Sequence, residues 1–140
     1  MAVLDASFLA KIILREPSSE RARRVLRELL AHSEELRVPC IALAELHNVI
    51  WKHYMLLREL GHEEAEKAAA RAERLWRILR SYSVEEISGE ALRLALGMGI
   101  TFYDALYAGL ARRFGEPLYT YDTRLAEKLE RAGIQAIVPV

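Results

Sequence analysis

Residues 1–7 of the chain, Met-Ala-Val-Leu-Asp-Ala-Ser, contain the transition that decides its fold class. Ala2–Leu4 is an apolar run short enough for a buried strand, and a helical pattern of apolar residues begins directly after Asp5. The segments Val-Pro-Cys-Ile at 38–41 and Leu-Tyr-Thr-Tyr at 118–121 make the same change from apolar run to helix. Strands and helices that alternate in this way indicate a mostly parallel sheet with helices on both faces. We therefore predict an α/β fold, a three-layer α/β/α sandwich.

Apolar periodicity, caps and chain breakers predict the individual elements. The predicted strands are 2–4, 38–41, 82–87, 118–121 and 136–140, and the predicted helices are 6–14, 19–36, 42–60, 62–81, 88–96, 101–114 and 123–132, with Ser88 as the cap of the fifth helix. The long helical hairpin at 42–81, after the second strand, exceeds what a simple crossover needs. With no linker or internal repeat, residues 1–140 are expected to form a single domain.

Composition limits the classes of protein to which the chain can belong. The formal net charge is +0, so no global field attracts nucleic acid, and any phosphate binding needs a local patch or a metal ion. The single cysteine, Cys40, cannot form an internal disulfide and is expected to pack as a small apolar residue. With no signal sequence or membrane-spanning apolar stretch, we expect a soluble cytoplasmic protein. Few amides and many charges suggest a thermophile.

The aspartates of the chain have an unusual distribution. Only Asp5, Asp104 and Asp122 occur, each where an apolar run meets a predicted helix, whereas most of the glutamates lie in Arg-rich helical stretches. Glu45 is the exception, because it opens the helix that follows the second strand. In open α/β sheets the carboxyl ends of strands converge on one crevice, and clustered carboxylates there provide the hard oxygen ligands that Mg²⁺ or Mn²⁺ prefers. We interpret these four acids as one metal site.

Each acid also has a purely structural interpretation. Asp5 and Asp122 could be N-caps, Thr101-Phe-Tyr-Asp104 has the form of a capping box, and Glu45 could simply favour the helix dipole. Those roles do not explain why aspartate occurs at these positions alone, where Ser or Thr would cap equally well. Carboxylates brought together also repel one another unless a cation lies between them.

Four segments, taken in order, resemble the signature motifs of PIN domains, most closely those of VapC-type toxins of prokaryotic toxin–antitoxin pairs. They are Val-Leu-Asp5-Ala-Ser7, the helix start at Glu45, Thr101-Phe-Tyr-Asp104-Ala-Leu-Tyr107 and Tyr-Thr120-Tyr-Asp122-Thr-Arg-Leu. The resemblance covers the whole chain, including its terminal strand, and it implies a PIN-like sandwich. No departure occurs at the four acids. The hairpin at 42–81 is the stretch that the family constrains least.

The resemblance implies a ribonuclease that depends on Mg²⁺ or Mn²⁺ and hydrolyses RNA phosphodiester bonds. Asp5, Asp104 and Asp122 would then ligate the ion directly, and Glu45 would do so directly or through water. Ser7 and Thr120 match hydroxyl positions of the motifs and would orient carboxylates, although local turn capping remains an alternative role for both. The same resemblance implies a cognate antitoxin as partner. A housekeeping RNA-processing nuclease and a non-catalytic adaptor that binds RNA or protein remain alternatives.

Other residues offer weaker indications of function. The four histidines lack a zinc spacing and are expected at the surface or in helix packing. Arg112, Arg113 and Arg124 could contact RNA or could belong to solvated helix faces. Apolar side chains in the hairpin exceed what its own seam needs, so they form core, a homodimer surface or a groove for an antitoxin helix, and we expect a homodimer. They are Trp51, Tyr54, Met55, Leu56, Leu75, Trp76 and Leu79.

Overall fold

The computed structural model describes residues 1–32 and 34–140. Strands and helices alternate along this part of the chain as the sequence predicts. In chain order the elements are β1 (Ala2–Leu4), α1 (Ala6–Ile13), α2 (Ser19–Ala31), β2 (Leu36–Pro39), α3 (Ile41–Met55), α4 (His62–Arg77), β3 (Arg80–Tyr82), α5 (Val84–Met98), α6 (Phe102–Phe114), β4 (Leu118–Tyr119), α7 (Thr123–Arg131) and β5 (Ala136–Ile137).

The strands form one sheet in the order β3-β2-β1-β4-β5, and every neighbouring pair is parallel. From β1 the chain builds outward through β2 to β3 and then returns to the other side of β1 to add β4 and β5. Parallel crossovers are almost always right-handed, so helices made on the outward path and on the return path lie on opposite faces of the sheet. The predicted α/β fold with a mostly parallel sheet is therefore confirmed.

The core is centred on β1, the middle strand of the sheet. All three residues of β1 are fully buried, because strands inside a parallel sheet are covered on both faces. Helix α6 contacts β1, β2 and β4 and packs along α5, where Gly109 lies against Ala91. On the outward path α1 contacts α2, α3 and α4. This packing fixes the chain just after β1 and β4, where two of the four predicted acids, Asp5 and Asp122, lie.

Several predicted boundaries were wrong. Helix α3 ends at Met55 rather than 60, α4 ends at Arg77 rather than 81, and β4 and β5 are shorter than predicted. The third strand lies at Arg80–Tyr82, and α5 already begins at Val84, capped by Ser83 in a complete capping box, so Ser88 lies inside the helix. The second strand lies at Leu36–Pro39, two residues earlier than predicted. Helix α2 ends at Ala31 and does not reach 36, and within that predicted stretch residue 33 lies outside the described residues.

The predicted burial of Cys40 was also wrong, because its side chain is exposed at the N-terminus of α3. The apolar side chains of the hairpin divide between the core and the exposed surface, which leaves the homodimer and antitoxin interpretations open for the exposed ones. Leu75 on α4 is buried and Trp76 packs against the core, whereas Trp51 and Met55 on α3 are each 50% exposed.

Within the described residues no single helix is long and apolar enough to cross a membrane. The pair α5 and α6 passes on combined length and composition, but the two helices meet at 112°.

Candidate metal-binding active site

The structure places the four predicted acids at the ends of elements around the carboxyl edge of the sheet. Asp5 follows β1 directly, Asp122 follows β4 by three residues, and Glu45 lies one turn into α3, after β2. Asp104 comes from the first turn of α6, so it does not follow a strand. The sheet order reverses between β1 and β4, and such a switch point is where open α/β sheets form ligand crevices.

Asp5 and Asp122 both act as N-caps, as the structural interpretation predicted. The Asp5 carboxylate accepts a hydrogen bond from the Phe8 backbone N–H at 2.9 Å, and that of Asp122 accepts one from Leu125 N–H at 3.0 Å. Thr101 similarly caps α6 through the N–H of Asp104 at 3.1 Å. These caps explain the local helix starts, but they leave the side chains of Asp104 and Glu45 without a capping role.

Two hydroxyl groups connect Asp5 to the loop after β4. Ser7 Oγ donates to Asp5 Oδ1 at 2.7 Å and accepts from the Tyr121 N–H at 2.8 Å. Thr120 Oγ1 donates to Asp5 Oδ2 and accepts from the Asp122 N–H at 2.9 Å. Each hydroxyl therefore links a backbone N–H of the loop to one oxygen of the Asp5 carboxylate. Together the two links connect the end of β1 to the end of β4 at the crevice.

This network determines which part of the Asp5 carboxylate remains available. Oδ1 accepts from both Ser7 and Phe8, and these two bonds use its acceptor capacity. Oδ2 accepts from Thr120 alone, so its second lone pair is unused by the described residues. An additional ligand of Asp5 would consequently approach Oδ2.

Burial makes the ionised form of Asp5 unfavourable. The side chain is only 5% exposed, and this desolvation raises the pKa of Asp5 from 3.8 to about 6, with a further small increase from the charge of Asp104. The hydrogen bonds from Ser7, Thr120 and Phe8 act in the opposite direction. Three donors therefore do not compensate for the loss of solvent, and a cation beside this carboxylate would stabilise its charged form.

Burial and neighbouring carboxylates also raise the pKa values of Asp104 and Glu45. Burial raises the pKa of Asp104, and repulsion from Asp122 raises it further, whereas nearby Lys128 lowers it. Burial also raises the pKa of Glu45, with an additional contribution from the charge of Asp104. The charge of Asp104 thus acts on Asp5 and Glu45, and Asp122 acts on Asp104, so Asp104 is the acid that links the cluster.

Tyr107 is a site residue whose contact the sequence analysis did not predict. Its ring is buried on α6, and its hydroxyl donates to Glu45 Oε1 at 2.6 Å, joining α6 to α3. Burial and the adjacent Glu45 carboxylate raise the pKa of the Tyr107 hydroxyl, so it remains a donor throughout the neutral range. The position lies three residues after Asp104 in the quoted motif, and a helical spacing of three places both side chains on one face.

The chemistry of this cluster fits Mg²⁺ or Mn²⁺, which prefer carboxylate oxygens, and a bound cation would offset the burial and mutual repulsion that raise the carboxyl pKa values. The spacing is wider than that of a preformed chelate. Across the described part of the chain, no three His, Cys, Asp or Glu side chains converge closely enough to hold one ion. Binding by these residues would therefore require water bridges or small side-chain rotations.

Two depressions flank the cluster. One, of about 480 Å³, lies between α1 and α3 and reaches Ser7 and Glu45. The other, of about 140 Å³, contains Asp104 and Asp122 together with Arg124 and Lys128. Of the cations predicted as RNA contacts, Arg124 lies here. Arg112 and Arg113 instead bind the Ala132 carbonyl and Glu90, respectively.

Comparisons with known proteins find related sequences and structures. The sequence model of the family described as PIN domain matches residues 2–130. The protein named Ribonuclease VapC3 from Pyrobaculum aerophilum is 37% identical over 131 residues, which are 90% of this chain and 92% of that protein. The protein named Exonuclease VapC9 from the same organism is 35% identical over 105 residues, 74% of each chain.

A solved structure extends the likeness to three dimensions. The crystal structure of Mycobacterium tuberculosis VapC20, described as a sarcin-ricin loop cleaving toxin, superposes with a TM-score of 0.68. The match covers 99% of this chain and 100% of that chain, at 22% sequence identity, and it shows a common fold.

Proposed function

Because the chain belongs to the PIN-domain family, we propose that it is a divalent-metal-dependent endoribonuclease, the toxin of a toxin–antitoxin pair. The observation that carries the proposal is the group of four electrostatically coupled carboxylates at the switch point of the sheet. The 37% identity to a protein named as a ribonuclease supports the activity. The single cysteine is compatible with a cytoplasmic site of action.

In this proposal Asp5, Asp104 and Asp122 hold Mg²⁺ or Mn²⁺, and Glu45 completes the set directly or through water. The ion, when bound, would activate water and offset charge that develops on the scissile phosphate. Ser7 and Thr120 hold both oxygens of Asp5, which leaves Oδ2 as the atom that faces a ligand. Tyr107 holds Oε1 of Glu45 in the same way, so its free oxygen, Oε2, can accept from a water molecule or contact the ion.

Exchange of aspartate for asparagine tests the proposal. Asp5→Asn and Asp104→Asn remove a ligand charge while preserving shape, so we expect each to abolish metal-dependent RNA cleavage without changing the circular dichroism spectrum. Glu85→Gln, an exposed acid on α5, is the matched control and should cleave normally. If either aspartate variant retained cleavage at saturating Mg²⁺ or Mn²⁺, that residue would not belong to the catalytic centre.

Exonucleolytic cleavage is a second candidate mode, because the protein named Exonuclease VapC9 is 35% identical to this chain. A circular RNA distinguishes the two modes. An endonuclease linearises a circle, whereas an exonuclease needs an end and leaves the circle intact. We expect linearisation. Binding of RNA with no cleavage of either circular or linear substrate would instead favour the adaptor.

We further propose that a cognate antitoxin inhibits the protein by inserting an Arg or Lys side chain among the four carboxylates. Arginine can pair bidentately with carboxylates and stays charged at all relevant pH values. An amphipathic segment of the antitoxin would cover exposed Trp51 and Met55.

Raising Mn²⁺ should weaken the complex, and Trp51→Ala should weaken it without changing cleavage by the free protein. Indifference to both changes would place the antitoxin elsewhere. A short neighbouring gene for a DNA-binding protein would identify the candidate.

The proposed assembly is a homodimer. The C-terminal part of α3 and the residues after it expose a contiguous apolar segment, in which Leu56 is 61% exposed and Leu57 is 47% exposed. Apolar surface of this kind on a 16.0 kDa chain favours association. Light scattering at tens of micromolar should give the dimer mass, and Leu56→Glu should shift it toward the monomer. A monomer mass for the unaltered protein would refute the dimer.

A further inference from the structure

The cleft between α1 and α3 has no assigned role, although it opens directly beside the acid cluster. Its walls carry small side chains, Ala6 and Ala10 from α1 and Ala44 from α3. Ser7 and Glu45 form the end nearest the acids, so the cleft and the cluster are continuous. At about 480 Å³ it falls within the range of small-molecule sites.

Asn48 is the polar group at the far end of this cleft. It is the only asparagine of the chain, and it lies three residues after Glu45 on α3, so both side chains share one helix face. The residue is exposed, and its amide makes no hydrogen bond within the part of the chain that the structure describes. An amide offers a donor and an acceptor side by side, which suits recognition of a planar heterocycle.

The smaller depression, on the other side of the acids, differs from the α1–α3 cleft because it contains cations. It contains Arg124 and Lys128, and Lys128 is near enough to Asp104 to lower the pKa of that carboxyl. The α1–α3 cleft contains no cation among its lining residues. A nucleotide has an anionic phosphate and a neutral base, so the cationic depression suits the phosphate. A phosphate in the α1–α3 cleft would lose solvent without gaining a cation and would lie beside the Glu45 carboxylate, which is unfavourable.

We propose that the α1–α3 cleft binds the base of the nucleotide next to the scissile phosphate, with the Asn48 amide hydrogen-bonded to the edge of the base. The alanine walls contact the faces of the base, and the open end admits its ribose. The recurrent bidentate contact of an asparagine amide with a base is that to N6–H and N7 of adenine, so adenine is the base expected in the cleft. This inference rests on the proposed ribonuclease function, because it takes RNA as the substrate.

Two substitutions test the cleft. Ala44→Leu fills it from an exposed helix position, and Asn48→Ala removes the amide. The matched controls are Ala70→Leu on α4 and His47→Ala next to Asn48, both exposed and outside the cleft. RNA affinity is measured by fluorescence anisotropy in chelator, so that no cleavage occurs. Cleavage is then measured with Mn²⁺ on oligonucleotides that differ at one base, and Mn²⁺ affinity is measured by calorimetry.

We expect Ala44→Leu to weaken RNA binding about tenfold and Asn48→Ala to reduce the preference for adenine about tenfold, the size of one bidentate base contact. Mn²⁺ affinity should stay within about twofold, and both controls should match the unaltered protein. Unchanged affinity and unchanged base preference in the two cleft variants would overturn the inference while leaving the ribonuclease intact. If the unaltered protein binds RNA but does not cleave it, only the proposed activity fails. If it binds no RNA, both fail.

Discussion

The hydroxyl of Tyr107 illustrates how one atom can join two elements at the site. A tyrosine in the middle of an apolar helix is predicted to be core, and the ring of Tyr107 is indeed buried. The functional information lies in the hydroxyl, whose partner Glu45 is 62 positions away in sequence. No local pattern encodes that contact, because it depends on how the fold brings α6 and α3 together at the carboxyl edge of the sheet.

We predict that Tyr107→Phe lowers the rate of RNA cleavage by roughly tenfold to a hundredfold, the usual effect of removing a group that orients a ligand. The ring still fills its place in the core, and half-exposed Glu45 can bind water instead, so the free energy of unfolding should change by about 1 kcal/mol or less. Tyr103→Phe is the control, since Tyr103 is on the same helix but 63% exposed. Equal rates for the two variants would exclude a role for the Tyr107 hydroxyl in positioning Glu45.

The acids themselves were more predictable from sequence. Asp5 and Asp122 occur where apolar runs end, and a parallel sheet brings such positions to one edge. The resemblance implied that Ser7 and Thr120 orient carboxylates, but their shared partner, Asp5, could not be predicted, because the two relays depend on the register of β1 against β4. The buried ion pair of Arg37 could not be predicted from sequence either. Arg37 lies on β2 and pairs at 3.0 Å with Glu116, which is also buried and is far away in the sequence.

At the scale of elements, the helices were predicted better than the strands. Strands β4 and β5 have two residues each, which is too short for an alternating pattern to be visible. The third strand was placed too late because Val84 and Ile87 look like strand residues, whereas they are the first apolar positions of α5. The deciding signal was Ser83 followed three residues later by Glu86, which form a capping box.

This correction leads to a prediction about helix α5. Ser83→Ala removes the side chain that accepts from the Glu86 N–H at 3.2 Å, and it should lower the free energy of unfolding by about 1 kcal/mol. Ser88→Ala, inside the same helix and without a capping role, should change it by no more than about 0.5 kcal/mol. Urea unfolding of both variants supplies the comparison. A larger loss for Ser88→Ala would contradict the observed helix start.

At the scale of the whole molecule, the composition suggests high thermal stability. The chain has sixteen arginines and almost no asparagine or glutamine. We predict a single cooperative transition with a midpoint above the mesophile range of about 45–65 °C, as expected for one domain from a thermophile. Differential scanning calorimetry measures both properties. A midpoint inside that range would count against the thermophile, and two separate transitions would count against a single domain.

The acid cluster couples the stability of the whole molecule to pH and to metal. The folded-state pKa of Asp5 is raised from 3.8 to about 6, so ionisation is less favourable in the folded protein than in the unfolded chain. The protein is therefore most stable with respect to this group below about pH 4, and it loses that stability as pH rises toward 6. The rise in pKa corresponds to roughly 3 kcal/mol.

We predict that the unfolding free energy of Asp5→Asn, measured in chelator, increases relative to that of the unaltered protein as pH rises from about 4 to 7. Asparagine has no charge to desolvate, and Thr120 Oγ1 retains a lone pair that can accept from its amide. Ion pairs elsewhere titrate identically in both proteins, so the difference isolates position 5. Added Mn²⁺ should stabilise the unaltered protein at pH 7 and the variant much less, because binding to the folded state alone raises stability. A difference that does not change with pH would mean that Asp5 is already charge-compensated in the folded protein without metal, and the metal-site proposal would then lose its electrostatic basis.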